Sequence, residues 1–310
     1  MMNILIVGLG SIARKHIQAL QALEIPVQLL ALRSSAAAQP MAGVTNLYSL
    51  EALPEQLDFA IISAPSNLHG FYIRELAQRG IPLFIEKPPL SMMQEATQLE
   101  QLISDAELLT YVACNLRFHP CLQFLKQYVL NNPALRLNEL NVYCGSYLPE
   151  WRPQQDFRKV YSANADAGGG VHLDLFHELD YTCWIFGIPQ HTHVLKRNAS
   201  SLQINACDYA NYILEYTNFT ASIVLNYYRR DPKRTIEMVM DDSTWTVDLI
   251  RSRIIDQHGN LVFEAPAFQV QHTYKLQMQY FLEQLRIRQQ PMNNFTESIQ
   301  TLRICLNVKD

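Results

Sequence analysis

The sequence has no excess of positive charge and no long apolar run, and each absence removes a class of protein. The 25 Lys and Arg residues are outnumbered by 29 Asp and Glu, for a formal net charge of −4. Without a general basic field, nucleic acid and anionic membrane surfaces are not expected partners. No apolar run is long enough to span a bilayer, and the first apolar stretch is too short for a signal peptide. We therefore expect a cytoplasmic protein.

Paired cysteines are also lacking. The six cysteines are scattered, with no C-x-x-C and no spacing typical of metal ligands, so we expect reduced, mostly packed thiols. His172 lies five residues from His177, which places it off the face of a helix that would carry His177 and argues against a metal site there. The predicted metal content is none.

A chain of 310 residues is long enough for two domains with separate cores. Residues 1–119 alternate strand and helix patterns, which predicts an α/β fold with a doubly wound parallel sheet. After its first strand, at Ile4–Val7, the predicted strands are Val27–Leu32, Phe59–Ser63, Pro82–Ile85 and Leu109–Ala113. Helices are expected at Phe71–Arg79 and Met92–Ser104. Ligands of such sheets bind beyond the carboxyl ends of the strands.

Residues 120–310 follow a different pattern, in which most strands are adjacent and joined by short turns. This predicts an α+β domain with a large open antiparallel sheet, preceded by a helix at Gly170–Phe186 and followed by helices at Tyr274–Arg288 and Thr296–Leu306. Its predicted strands are Arg136–Tyr147, Val194–Asn198, Tyr209–Tyr216, Thr220–Tyr228, Arg234–Met240 and Thr244–Ile250. Exposed rows of Tyr, Ile and Val would be costly, so we expect a homodimer or homotetramer through this sheet. Alternatively, these residues face the protein's own helices.

A glycine-rich turn directly follows the first apolar strand. Gly8-Leu9-Gly10-Ser11-Ile12-Ala13 has the form G-x-G-x-x-A and precedes a segment with helical apolar spacing. Gly8 permits the tight turn, Gly10 lets a pyrophosphate approach the backbone, and Ala13 allows close helix–strand packing. The helix would direct its N-terminal N–H groups at the phosphates. This context predicts a dinucleotide cofactor site.

The end of the second strand indicates which dinucleotide is bound. NAD-binding enzymes place Asp or Glu there for the ribose 2′-hydroxyl, whereas this chain has Arg33-Ser34-Ser35. An arginine with two hydroxyl groups suits a 2′-phosphate, so NADP is the preferred cofactor. NAD with Arg33 stacked on the adenine is the alternative.

Further polar segments follow the later strands in a fixed order. They are Ala64-Pro65-Ser66-Asn67-Leu68-His69, Glu86-Lys87-Pro88, Asn115-Leu116-Arg117-Phe118 and Gly168-Gly169-Gly170-Val171-His172-Leu173-Asp174. With the glycine turn, this set resembles the Gfo/Idh/MocA oxidoreductases, the glucose–fructose oxidoreductase and inositol dehydrogenase family. The resemblance covers nearly the whole chain. It implies a Rossmann domain, a C-terminal open-faced sheet domain, and hydride transfer between a nicotinamide and a sugar or polyol carbon.

The resemblance also implies residue roles. Lys87 corresponds to the lysine beside the nicotinamide, and Asp174 and His177 face the substrate, so these three are the predicted catalytic residues. Cofactor binding is assigned to Gly8, Gly10, Ser11, Ile12, Ala13, Arg33, Ser34, Ser35, Ala64, Pro65, Asn67, His69, Glu86, Lys87 and Asn115.

The chain departs from the family pattern at one point. The family usually separates its aspartate and histidine by four residues, whereas Asp174 and His177 are three apart. Residues three or four apart on one helix share a face, so we expect the two side chains to converge. The following His177-x-x-Asp180-x-x-x-Trp184 agrees with the family.

Oxidation of a secondary alcohol needs a hydride acceptor, a base and positive charge near the developing alkoxide. His177 suits the base, because an imidazole ordinarily titrates near neutral pH. Lys87 would stabilise the alkoxide or relay the proton itself. Asp174 would orient the histidine or bind a substrate hydroxyl.

An aromatic and basic segment, formed by Tyr147–Pro153 and Asp156–Tyr161, precedes the triple glycine. Aromatic rings stack on sugars and arginines bind carboxylate or phosphate, which predicts substrate contacts, or else a loop that packs the two domains together. The segment resembles a bacterial branch of the family associated with surface-polysaccharide and sialic-acid-like sugars. The predicted substrate residues are Arg117, Tyr147, Trp151, Arg152, Arg158, Tyr161, Asp174 and His177, and the three arginines favour an acidic substrate.

The sequence thus predicts an NAD(P)-dependent oxidoreductase acting on a sugar, nucleotide-linked or acidic. Two alternatives remain at this stage. The first is an enzyme that recycles a tightly bound nicotinamide, with net epimerisation or elimination. The second is a non-catalytic nucleotide-sensing protein, which the joint presence of Lys87, Asp174 and His177 disfavours.

Overall fold

The computed structural model describes residues 1–35, 37 and 39–308 and divides into two compact units. The first comprises Met1–Asn115 and Gln271–Leu302, and the second comprises Leu116–Val270 and Arg303–Asp310. The sequence division at residue 119 had assigned Gln271–Leu302 to the second domain. These residues group with the first unit because Phe281 packs edge-on against Phe59 and Phe84, with ring centroids 5.0 and 5.3 Å apart.

A parallel six-stranded sheet forms the centre of the first unit. Its elements are β1 (Met2–Val7), α1 (Ser11–Gln21), β2 (Val27–Leu32), β3 (Val44–Leu47), β4 (Phe59–Ile62), α2 (His69–Ala77), β5 (Leu83–Ile85), α3 (Ala96–Asp105) and β6 (Thr110–Val112). The strand order is β3-β2-β1-β4-β5-β6, and every pair is parallel. The chain order reverses between β1 and β4, which is where ligands of doubly wound sheets bind.

The strands of this sheet are buried on both faces. All residues of β4 and β5 are buried, as are the last four of β1 and of β2, which explains why these strands read as continuous apolar runs. Strand β3 was missed in the sequence because it is short, carries two polar residues and is only half-buried.

The second unit is built on an eight-stranded sheet. Its elements are α4 (Pro120–Asn131), β7 (Leu137–Tyr147), α5 (Leu148–Trp151), α6 (Val171–Asp174), α7 (His177–Phe186), β8 (His191–Arg197), β9 (Tyr209–Glu215), β10 (Thr220–Asn226), β11 (Tyr228–Met240), β12 (Thr244–Asp248), β13 (Arg253–Asp256) and β14 (Leu261–Glu264). Two further helices close the chain, α8 (His272–Ile287) and α9 (Phe295–Leu306). The sheet order is β14-β13-β12-β11-β7-β10-β9-β8.

The predicted fold class is confirmed, with one correction to the second sheet. Strands β7 and β10 pair in parallel, while the other neighbours are antiparallel, so the sheet is mixed. Along β9 and β10, buried residues such as Tyr212 and Ile223 alternate with more exposed ones, as expected for a sheet covered on one face. The predicted homo-oligomer through the other face stays a prediction.

Four elements of the second unit were not predicted, namely the helices α4 and α5 and the strands β13 and β14. Helix α4 begins at Pro120, and the side chain of His119 caps it by accepting the N–H of Cys121 at 3.2 Å. Strands β13 and β14 have four residues each, too few for a clear alternation. None of the helices within residues 1–35, 37 and 39–308 is long and apolar enough to cross a membrane.

Candidate active site

The glycine turn connects β1 to α1 at the carboxyl end of the first sheet. Gly8 has φ +81°, and a Cβ there would lie 3.0 Å from Cα of Ala64, the second residue after β4. Gly8 is therefore required by both its backbone conformation and the close approach of a neighbouring loop. This contact joins the loops after β1 and β4 at the point where the strand order reverses.

Gly10 has a different reason to lack a side chain. It is the N-cap residue of α1, with φ −85°, and a Cβ there would meet no atom within 4 Å. The space beside Gly10 is open, and the first backbone N–H groups of α1 have no partner within the helix, as at any helix N-terminus. The residues present therefore fit a dinucleotide, whose pyrophosphate would lie against Gly10 and the first turn at Ser11, Ile12 and Ala13. Ala13 is fully buried, which allows close helix–strand packing.

The residues predicted to read the ribose phosphate follow β2. The N–H of Arg33 donates to the carbonyl of Leu47, and its Nη1 lies 3.3 Å from both Oδ1 of Asn46 and the carbonyl of Gln39. Ser34 and Ser35 are exposed. Asn46, on the unpredicted strand β3, thus holds the Arg33 guanidinium at the carboxyl end of β2, with no carboxylate at this strand end.

The loop after β4 contains four predicted cofactor residues. Pro65 and Asn67 are exposed and Ala64 is half-buried, so this loop is accessible to a ligand. His69 behaves differently, because its ring is buried with Nε2 2.9 Å from the carbonyl of Ala64 and Nδ1 3.0 Å from that of Pro88. Burial lowers the pKa of His69. Both ring nitrogens of His69 thus contact the chain's own carbonyl groups, and a cofactor contact of His69 stays a prediction.

The Glu86-Lys87-Pro88 segment follows β5, the neighbour of β4. Glu86 is buried, and its Oε2 accepts the backbone N–H of Lys87 at 3.1 Å. Its Oε1 lies 2.6 Å from Nε2 of His16, a fully buried residue of α1. Glu86 therefore holds the main chain of Lys87 and links it to the helix that follows the glycine turn. Sequence analysis had not identified His16.

Asn115 lies just after β6 and is buried. Its Nδ2 donates to Oγ1 of Thr273 at 2.6 Å, which connects it to α8 within the first unit. The two residues are 158 positions apart, so no local signal in the sequence could have paired them. A cofactor contact of Asn115 stays a prediction.

In the second unit, the triple glycine is explained by close packing. A Cβ on Gly169 would lie 2.1 Å from the carbonyl oxygen of Tyr161, and Gly168 and Gly170 have φ of +82° and +138°. The hydroxyl of Tyr161 donates to the carbonyl of Gly168 at 2.6 Å. These contacts place α6, with Asp174 as its last residue, against the 3₁₀ turn at Tyr161–Ala163.

Asp174 and His177 do not share a helix. The predicted continuous helix Gly170–Phe186 is interrupted, because α6 ends at Asp174 and α7 begins at His177. Leu175, between them, has φ −98° and ψ +36°, outside helical geometry. The expectation that helical spacing makes the two side chains converge was therefore wrong in its reasoning. His177 is 9% exposed, and the carboxylate of Asp174 accepts a hydrogen bond from Tyr227.

The aromatic and basic segment is partly open to solvent. Trp151 is 39% exposed, and its Nε1 donates to Oγ of Ser146 at 2.8 Å. The guanidinium of Arg230 lies 3.7 Å from the ring centroid of Tyr147. Arg152 and Arg158 are exposed, and Arg158 lies 4.4 Å from the ring of Phe157. These side chains are available to an anionic or carbohydrate ligand.

Arg117 is buried and paired within the second unit. Its side chain is 1% exposed, with Nε 3.0 Å from Oδ2 and Nη2 2.8 Å from Oδ1 of Asp180. Both carboxylate oxygens of a buried Asp180 are thereby paired, and removing either partner would leave a buried charge uncompensated. A substrate contact of Arg117 stays a prediction.

No group of three or more His, Cys, Asp or Glu residues in the described part of the chain is arranged to hold a metal ion. His172 is half-buried, and desolvation together with the charge of Lys196 lowers its pKa to about 3. A cavity of about 990 Å³ in the first unit lies between the start of β1 and α8, lined by Met2, Asp58 and Lys275 among others. It is at the opposite edge of the sheet from the glycine turn and contains none of the predicted residues.

Comparison with known proteins identifies a family model and a curated relative that each match part of the chain. Residues 2–114 match the Gfo/Idh/MocA profile, described as an oxidoreductase family with an NAD-binding Rossmann fold. A D-xylose 1-dehydrogenase (NADP(+)) of Haloferax volcanii is 34% identical over 122 residues, 37% of this chain and 38% of that enzyme. The chain thus spans less than two thirds of the length of this curated relative.

Solved structures are similar over nearly the whole chain. Levoglucosan dehydrogenase in complex with NADH has a TM-score of 0.86 at 15% identity, with 99% of this chain and 95% of that chain covered. UDP-N-acetylglucosamine 3-dehydrogenase GnnA from Acidithiobacillus ferrooxidans has a TM-score of 0.79 at 20% identity, covering 99% and 96%. At these identities the comparisons establish the two-unit fold.

Proposed function

We propose, from the premise that residues 2–114 belong to the Gfo/Idh/MocA oxidoreductase family, that this protein is an NADP-dependent dehydrogenase of a sugar. Hydride would pass between the nicotinamide and a secondary alcohol or carbonyl carbon. The observation that carries the proposal is the open space at Gly10, which lies at the N-terminus of α1 and next to the point where the strand order reverses. Lys87 follows β5, which is separated from β1 in the sheet only by β4.

The preference for NADP is supported by the end of β2. Asn46 and the carbonyl of Gln39 hold the Arg33 guanidinium there, and two exposed hydroxyl groups follow at Ser34 and Ser35. A guanidinium and hydroxyl groups bind a 2′-phosphate through charge-assisted hydrogen bonds. The similar xylose dehydrogenase is named for NADP(+), whereas the similar levoglucosan dehydrogenase was solved with NADH.

When bound, the nicotinamide supplies the hydride acceptor. The chain's own residues would then supply positive charge near the substrate oxygen and accept the proton of the hydroxyl group. Lys87, whose main chain Glu86 holds, would place its ammonium near the substrate oxygen and stabilise the developing alkoxide. His177 would take the hydroxyl proton, and Asp174 would orient the histidine or bind a further hydroxyl of the sugar.

Substrate recognition is assigned to the second unit. Trp151 offers a half-exposed aromatic ring, and Arg152 and Arg158 offer exposed guanidinium groups. A ring and two cations suit a sugar that carries a phosphate or carboxylate. A nucleotide-linked sugar meets this requirement, and the similar GnnA is a UDP-N-acetylglucosamine 3-dehydrogenase.

The test is a titration of the purified protein with NADPH and NADH, followed by a screen of sugars, sugar acids and UDP-linked sugars for reduction of NADP. We expect saturable NADPH binding and turnover with an anionic sugar. Lys87→Ala should lower kcat/KM at least ~100-fold while the NADPH Kd stays close to that of the wild type. Cofactor that survives dialysis, without net reduction of added NADP, would support internal recycling instead. Absence of any nucleotide binding would overturn the proposal.

A further inference from the structure

Tyr227 is a fully buried residue between β10 and β11 of the second unit. Its main chain is held on both sides, since its N–H donates to the carbonyl of Asp208 at 3.1 Å and its carbonyl accepts the N–H of Leu148 at 2.8 Å. The position of the ring is therefore set by strand ends on either side of it, independently of α6.

The phenol of Tyr227 donates to Oδ2 of Asp174 at 2.5 Å. Burial raises the pKa of Tyr227 well above its usual value, and the Asp174 carboxylate raises it further. The phenol consequently stays protonated and remains a hydrogen-bond donor. Tyr161 and Cys207 are the other titratable groups that face Tyr227 and act in the same direction.

Asp174 needs an external partner to define its side chain. It is the last residue of a four-residue helix that follows three glycines, and the backbone leaves helical geometry at the next residue. A short helix end restrains the backbone over one turn only, so helix geometry alone does not orient the carboxylate. The hydrogen bond from a rigid, buried phenol supplies that restraint.

The ring of Tyr227 also contacts Trp151, one of the predicted substrate residues. The ring of Trp151 lies edge-on to that of Tyr227, with centroids 5.3 Å apart and an angle of 89°. Tyr227 therefore contacts both an exposed aromatic residue assigned to the sugar and the carboxylate assigned to its hydroxyl groups.

We propose that Tyr227 is a positioning residue that holds the carboxylate of Asp174 in the orientation in which it meets the substrate. The inference rests on the proposed function for the role of Asp174. Tyr227 itself exchanges no proton and makes no bond in the reaction. Its contribution is orientation, and misplacement of a reacting group by about 1 Å can cost ~100-fold in rate.

The chain offers a matched control for removing the phenol. Tyr212 on β9 is equally buried, and its hydroxyl donates to the carbonyl of Cys305 at 2.9 Å, away from Asp174. Tyr227→Phe and Tyr212→Phe each remove one buried hydroxyl and its hydrogen bonding while keeping the ring. A general loss of packing would affect both variants alike.

The first measurement is kinetic and uses the best substrate of the sugar screen. We expect Tyr227→Phe to lower kcat/KM about 10- to 100-fold with an unchanged NADPH Kd, and Tyr212→Phe to stay within about twofold of the wild type. In an Asp174→Asn background, adding Tyr227→Phe should cost little more, because the two residues act as one unit. Equal losses in both Phe variants, or full additivity with Asp174→Asn, would overturn the inference.

The second measurement needs no turnover. Crystal structures of the two Phe variants should show the Asp174 carboxylate rotated or in several rotamers in Tyr227→Phe alone. An unchanged Asp174 in Tyr227→Phe would refute the positioning role whatever the enzyme catalyses. If the rotamer changes while no sugar is oxidised, the proposed function fails and the positioning of Asp174 stands.

Discussion

The imidazole of His16 and the carboxylate of Glu86 form a buried pair, with Nε2 2.6 Å from Oε1 and the other ring nitrogen, Nδ1, in contact with no hydrogen-bonding group among the described residues. Through Glu86, the pair connects the helix after the glycine turn to the backbone N–H of Lys87, 71 positions away from His16.

Removing His16 should destabilise the protein. His16→Leu leaves Oε1 of the buried Glu86 carboxylate without its partner, and we expect the free energy of unfolding to fall by about 2–3 kcal/mol. His16→Leu/Glu86→Leu should cost less than the sum of the single changes. Urea denaturation followed by circular dichroism measures both values.

The control is the exposed pair of His193 and Glu215, 2.8 Å apart with side chains 66% and 43% exposed. His193→Leu should change the free energy of unfolding by less than ~1 kcal/mol. An equal effect at both sites would show that the buried pair has no special role.

The two glycines of the turn should respond differently to alanine. Gly8→Ala forces a side chain into positive φ and against Ala64, so we expect the free energy of unfolding to fall by about 1–3 kcal/mol. Gly10→Ala projects into open space, so stability should change by less than ~1 kcal/mol while NADPH affinity falls at least ~10-fold. Denaturation curves and fluorescence titration separate the effects. Unchanged NADPH affinity in Gly10→Ala would contradict the assigned pyrophosphate site.

Reversing the charge after β2 should change cofactor preference. Arg33→Asp removes the cation for a 2′-phosphate and adds a carboxylate for a 2′-hydroxyl, so the Kd ratio of NADPH to NADH should shift about 10- to 100-fold towards NADH. Arg79→Asp is a suitable control, because Arg79 lies beyond the end of α2 and pairs with Glu75. The same shift in both variants would point to net charge, and no shift in Arg33→Asp would remove the 2′-phosphate assignment.

His119 should contribute to acid sensitivity. Its Nδ1 accepts the N–H of Cys121 and its Nε2 donates to the carbonyl of Leu249 at 3.1 Å, so both nitrogens are satisfied only in the neutral ring. Burial lowers the pKa of His119 from 6.5 to about 4. Between these values the unfolded chain binds the proton more readily, and stability is lost as the pH falls through that window.

The size of this effect can be measured against a variant. Lowering the pH from ~7 to ~5 should cost about 2 kcal/mol through His119 alone. His119→Asn retains a side chain able to cap α4, but this side chain does not titrate. Between pH ~7 and ~5, the free energy of unfolding of the variant should therefore fall by about 2 kcal/mol less than that of the wild type. Parallel pH dependence in the two proteins would contradict the assignment.

Sequence reasoning succeeded where the signal is contiguous. The sequence correctly predicts the run Ile4–Val7, the turn from Gly8 to Ala13 and the strand at Val27–Leu32. Each of these has a pattern that is complete within a few consecutive residues. The break at Leu175 was missed because apolar and polar residues continue at helical spacing across it. Arg117 and Asp174 look alike in the sequence, as polar residues after a turn, but only Arg117 is fully buried.

The amino-acid sequence by itself determined the parallel sheet, the dinucleotide turn and the residues available for chemistry, since these depend on local conformation and local burial. Tertiary structure alone decided which polar side chains pair with other groups of the same protein. Arg117 pairs with Asp180 across 63 positions, and Tyr227 reaches Asp174 across 53. A buried charge or hydroxyl must find a partner wherever the fold brings one near, and that partner is set by the path of the whole backbone rather than by neighbouring residues.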